Sequence, residues 1–128
     1  MNNAASILIL LFLAVTFLQS GYDKVTDWQG NVGWLKGHFE KTFIKNHVPH
    51  SLMLILVLEI IAGILCLTGF IQMLINDQAT ELARYGLTVS CITLLLLLFG
   101  QRIAKDYDGA RTIVIYFIPS VLGFYFMH

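Results

Sequence analysis

A chain of 128 residues that is 57% hydrophobic and only 12% charged lies far from the roughly 25% charged of a soluble domain. Eight Lys and Arg balance eight Asp and Glu, so no basic field exists to attract nucleic acid or acidic substrates. Cys66 and Cys91 sit in separate apolar runs, so neither a disulfide framework nor a CxxC redox pair can be read from them.

The first apolar run covers residues 4–18. Met1-Asn2-Asn3 lacks the cations of a secretory leader and no A-x-A cleavage pattern follows, so the run predicts a retained span. Further apolar runs follow at 52–75, 85–99 and 112–127. A hydrocarbon layer of about 30 Å needs about 20 residues of helix. With polar and aromatic flanks at headgroup level, the spans become about 4–22, 50–75, 82–101 and 111–127. The stretches from Ile7 to Val15 and from Leu94 to Phe99 offer no polar face, which argues against a soluble bundle. Each span must be helical to satisfy its own backbone in lipid. The expectation is an all-α membrane protein, a single domain over residues 1–128 forming a four-transmembrane-helix bundle.

The segment 21–50 is too long for a structureless connection. Leu35, Phe39 and Phe43 recur every four residues beside Trp34, while Lys36, Glu40, Lys41 and Lys45 fall on other faces. That spacing predicts an amphipathic interfacial helix in the first loop, with Lys36 and Glu40 as an i,i+4 pair. Lying in the headgroup plane and capping the helix ends as a lid are equally open. Pro49 suits a helix start, so the second span should begin near His50. Residues 76–80 read as a plain polar turn.

Four spans put both termini and the 76–84 loop on one side, and the loops 21–50 and 100–111 on the other. The second side carries Lys24, Lys36, Lys41, Lys45, Arg102, Lys105 and Arg111; the first carries only Arg84. The excess predicts cytoplasmic loops at 21–50 and 100–111, with both termini outside. Phe70, Tyr85, Tyr125 and Phe126 would form one aromatic belt, and Tyr22, Trp28, Trp34 and Tyr107 the other.

Glu59 most needs an explanation. Counted from Ser51 it lies about 12 Å into the membrane, where a lone carboxylate costs several kcal/mol, so it should face the bundle interior. Two readings stand level: an interhelical bond that fixes packing, and a carboxyl that carries protons or binds a ligand. Lys24, Arg102, Lys105 and Asp106, with Asp108, cluster in sequence at the same end and could converge above Glu59. The stem of Lys24 can snorkel to lipid phosphates, its commoner fate, or turn inward. For the 101–109 run a self-neutralised surface turn is the commoner case. His47 and His50 lack the further ligands zinc would need, so no metal site is expected. Gly86 with Ser90, and Ala62 with Cys66, have small-xxx-small spacing and read as packing. Gln72 should hydrogen-bond locally. Hydrolase chemistry has no support.

With these residues located, the chain resembles the DoxX family of small bacterial four-helix membrane proteins. Gly21-Tyr22-Asp23-Lys24 is similar to the family's G-x-x-K, Phe39 and Pro49 match in the long loop, and Glu59-x3-Gly63 leads to Leu65, Leu67 and Gly69 as in its E-x-x-G-G-x-L-L-L-G signature. The run from Gln101 to Tyr107 looks like a subgroup feature. An arginine that many relatives carry early in the first span is missing here, so no arginine-to-glutamate pair is carried over. The resemblance implies a multi-pass protein of the bacterial cytoplasmic (inner) membrane. Named members are associated with thiosulfate:quinone oxidoreductase and membrane redox complexes. The first expectation is an accessory subunit of a larger membrane complex, with the bilayer and other membrane subunits or further copies of itself as partners. The alternative is a quinone-linked oxidoreductase subunit of thiosulfate or thiol oxidation type, with a quinone at Lys24, Glu59 and Arg102. A small-solute transporter is the third reading.

Overall fold

The computed structural model describes residues 4–42, 45–76 and 79–126. Four of its helices are long and apolar enough to cross a membrane: α1 (Ala4–Thr26), α3 (Val48–Ile75), α4 (Glu81–Ile103) and α5 (Tyr107–Phe126). The chain is a multi-pass membrane protein. Each span runs up to four residues past the expected start or end, because the polar flanks continue the helix instead of leaving it at the hydrocarbon boundary.

The first loop departs from the sequence reading. Its helix, α2 (Trp28–His38), begins earlier and ends before Glu40. Only Asp27 separates it from α1, and backbone bonds cross the break from Asp27 N–H to Asp23 C=O and from Asn31 N–H to Asp27 C=O. At the far end Gly37, a weak helix former, precedes Phe39, whose N–H closes the last turn on the Leu35 carbonyl. Glu40 therefore falls in a turn, so it and Lys36 are not an i,i+4 pair within one helix. Phe43 lies outside the described residues. A short 3-10 turn at Lys45–His47 leads into α3, where Pro49 occupies the first turn as expected.

Helix α3 is the bundle's axis, packed along α1 on one side and α4 on the other; α5 packs on α4 and touches α1. Small residues set these distances. A Cβ on Gly63 would come within 2.8 Å of Leu18, and one on Gly69 within 2.6 Å of the Ala83 Cα. Gly86 lies against the Cys66 backbone, and the Cys66 thiol sits 3.5 Å from the Ser90 hydroxyl, so both small-residue pairs pack as expected. Leu10, Leu13, Ala14, Phe17, Ala62 and Leu87 fill the centre. Phe70 packs against this core instead of joining an aromatic belt, whereas Tyr22, Trp34, Tyr85, Tyr107 and Tyr125 are exposed at the bundle's ends.

Candidate functional site

A helical Cα–Cβ bond tilts toward the helix N-terminus. On α1 this carries the Lys24 side chain from the loop end toward the bilayer centre. On the oppositely directed α3 it carries Glu59 toward the loop end. The two converge: Lys24 Nζ lies 2.8 Å from Glu59 Oε1, with the side chains 17% and 3% exposed. Gly21, one turn from Lys24, brings α1 onto Ile60 and Leu56 of α3, and Gly63, one turn from Glu59, receives Leu18. Each short motif thus joins a glycine that closes the helix pair to a charge that bridges it. Lys24 also donates to Ser20 Oγ at 2.6 Å. The inward course of Lys24 is the less common one for a lysine at a helix end, and the stranded carboxylate it neutralises accounts for it.

Lys24 forms part of the wall of a cavity of about 410 Å³ under α2. Trp34 and Leu35 of α2 roof it with Phe39; Leu52, Leu54 and Ile55 of α3 and Leu96, Leu97 and Phe99 of α4 make its sides. Lys24 is the sole charged side chain among the described residues that line it. Leu54, Leu96 and Phe99 are also exposed on the bundle's lateral surface, so the cavity adjoins lipid.

The other residues read from the sequence lie outside the cavity wall. Arg102 places its guanidinium 5.4 Å from the centre of the Tyr107 ring, and Lys105 is exposed in the α4–α5 turn at φ 61°. Asp106 Oδ1 accepts from the Gly109 N–H at 3.0 Å, capping the start of α5, while Oδ2 lies 3.6 Å from His38 Nε2. Arg111 and Asp108 pair at 3.2 Å on the exposed surface. The structure therefore brings Lys24 and Glu59 together and leaves Arg102, Lys105 and Asp106 outside that pair.

His38 is the residue the sequence reading passed over. Its Nε2 is 3.1 Å from Gln101 Oε1, its ring stacks on Trp34 at 4.6 Å and meets Phe39 edge-on at 5.0 Å. It ties the roof of the cavity to the end of α4. The i,i+4 spacing of Trp34 and His38 was the available signal. His47 and His50 are exposed at the start of α3, and no group of three metal-ligating side chains occurs among the described residues. Gln72 was expected to hydrogen-bond locally, and its Oε1 is buried without a partner.

A family model for DoxX matches residues 6–98. The chain belongs to the DoxX family. In this DoxX chain the match takes in Lys24, Glu59 and the glycines beside them, and Gln101 and Asp106, which hold His38, lie beyond it. Comparison with curated proteins and with solved structures gave no match.

Proposed function

We propose that the chain is a quinone-linked subunit of a membrane oxidoreductase, whose cavity beneath α2 receives a quinone head group. One observation carries this reading: an apolar cavity next to lipid whose single charged wall residue, Lys24, is neutralised by the buried Glu59. Its volume falls in the usual ligand-pocket range of about 300–1,000 Å³. Lys24 supplies a donor for a carbonyl oxygen, and Glu59 balances its charge. Trp34 and Phe39 offer ring faces to a planar head, and the side by Leu54 and Phe99 suits entry from the bilayer. A bound quinone would supply two-electron, two-proton redox chemistry. In this reading the electrons come from a partner subunit at which two thiols or two thiosulfates join through a sulfur–sulfur bond.

In the same reading α2 serves as both interfacial helix and lid. It buries no residue and leaves Trp34 63% exposed, which supports a place at headgroup level. The excess of cations at the loop end supports an inner-membrane orientation with that end in the cytoplasm and both termini outside. An accessory role without a ligand is the second reading. It is favoured by α5, which buries only Ala110, Ser120 and Gly123 and leaves a broad face for lipid or a neighbouring subunit. A transport path through one copy is disfavoured by the side chains packed beyond Glu59.

The test is purification of a tagged chromosomal copy in mild detergent, with mass spectrometry of co-purifying proteins and extracted quinones. The proposal expects bound quinone that is lost in Glu59→Gln, with a stoichiometric partner. A partner without quinone would favour the accessory role. A lone chain with no quinone and no quinone-dependent thiol or thiosulfate oxidation would contradict both.

A further inference from the structure

We infer that Glu59 determines the charge of the head group the cavity accepts, admitting neutral carbonyl heads and refusing anionic ones; this rests on the cavity being a ligand site, as proposed above. An ammonium in an apolar cavity beside lipid is by itself an anion site, and a membrane is full of anionic amphiphiles. Glu59 removes that attraction. It sits 2.8 Å behind Lys24 and is 3% exposed, and whichever atom holds the proton the pair carries no net charge. The donors can also be counted. A lysine ammonium has three N–H groups. Ser20 Oγ takes one at 2.6 Å, the ion pair with Glu59 holds the ammonium in place, and at least one N–H is left for the cavity. A donor on a pair without net charge matches a carbonyl oxygen. A carboxylate, sulfonate or phosphate in the same place would set a second anion beside Glu59 in a low-dielectric wall with no other cation, an arrangement that like-charge repulsion opposes.

Removing the Glu59 charge should therefore invert the preference. With glutamine there, Lys24 is an uncompensated cation and the cavity becomes a site for anionic amphiphiles. The same exchange accounts for loss of a neutral ligand in that variant, since membrane anions would take its place. Glu59 is a specificity-determining residue here, acting through Lys24 without touching the ligand.

The experiment is native mass spectrometry of the full chain in uncharged detergent, with three probes offered separately: a short-chain benzoquinone, methyl palmitate, and hexadecanesulfonate, which stays anionic at every working pH. The natural chain should bind the ester at least about tenfold more tightly than the sulfonate. Glu59→Gln should reverse that order, and Glu59→Asp should keep it. Equal binding of ester and sulfonate by the natural chain would overturn the inference, as would an unchanged order in Glu59→Gln. Should Glu59→Gln not assemble, the natural chain and Glu59→Asp decide, since both must discriminate. Ester preferred over sulfonate with no binding of the quinone would refute the quinone reading and leave the charge selection standing. Binding of no probe would overturn both.

Discussion

Lys24 and Glu59 meet at 2.8 Å across the first two spans, each one turn from a glycine at which α1 and α3 close on each other. The pair is thus part of the helix contact, and Lys24 is also part of the cavity wall. Removing the cation alone strands a carboxylate that is almost wholly buried. Lys24→Met should lower stability by about 3 kcal/mol, the scale for an unpaired charge in a membrane interior. Lys24→Met combined with Glu59→Gln should recover most of that loss, because no charge is left to solvate. Thermal loss of the monodisperse species in detergent, followed for both single variants and the double, measures the coupling. Additive losses would mean that the two side chains act independently.

The glycines make a second, steric prediction. Gly69→Ala would set a Cβ 2.6 Å from backbone of α4, with no flexible side-chain end to give way, so α3 and α4 must separate. A destabilisation of about 1–3 kcal/mol is expected. Gly33→Ala is the control: nothing lies within 4 Å of the added carbon, and helix propensity in α2 should rise by up to about 1 kcal/mol. The same melting measurement separates the two.

Much of this architecture was legible before any coordinates. Hydrocarbon demands long apolar runs, so four spans stand out, and a carboxylate as deep as Glu59 has to turn inward. The partner of that carboxylate was not legible. A lysine stem reaches either way, and only the register of α1 against α3 decides. Lys24, Trp34, Leu54 and Phe99 come from four parts of the chain, and no local pattern announces that they share a cavity. The helix of the first loop starts at Trp28, ahead of the periodic residues that predicted it, and Phe39, which read as helical, lies in the turn after it. Arg102 and Lys105 matched the chemistry sought but not its place: Arg102 is exposed beside Tyr107, and Lys105 sits in the α4–α5 turn.

His38 is the polar tether between α2 and the end of α4, its ring 16% exposed and held by Gln101 and Asp106. His38→Ala removes that bond and the stack under Trp34 together. Backbone amides of residues 28–38 should then exchange with deuterium at least several-fold faster, with those of α3 unchanged. Asp106→Asn should have a smaller effect, because the bond to Gln101 at 3.1 Å survives. Equal protection in all three chains would show that packing alone holds α2.

The orientation proposed from the cation count can be read with single cysteines in a background without Cys66 and Cys91. Lys41 and Glu81 are exposed at opposite ends of the bundle. On intact cells a membrane-impermeant maleimide should label Glu81→Cys and spare Lys41→Cys until the membrane is opened. The opposite pattern would invert the topology.

The most direct test of a ligand cavity beneath α2 uses Gly100, which lines it and where an added Cβ would meet only Phe39, at 3.8 Å. Gly100→Leu should fill the space without straining the helices. Trp34 roofs the same space and reports on it by its fluorescence. Titrating a short-chain benzoquinone into the natural chain should quench that fluorescence saturably, and Gly100→Leu should abolish the saturable part while melting as the natural chain does. Unsaturable quenching of the natural chain, or unaltered saturable quenching in Gly100→Leu, would contradict the account.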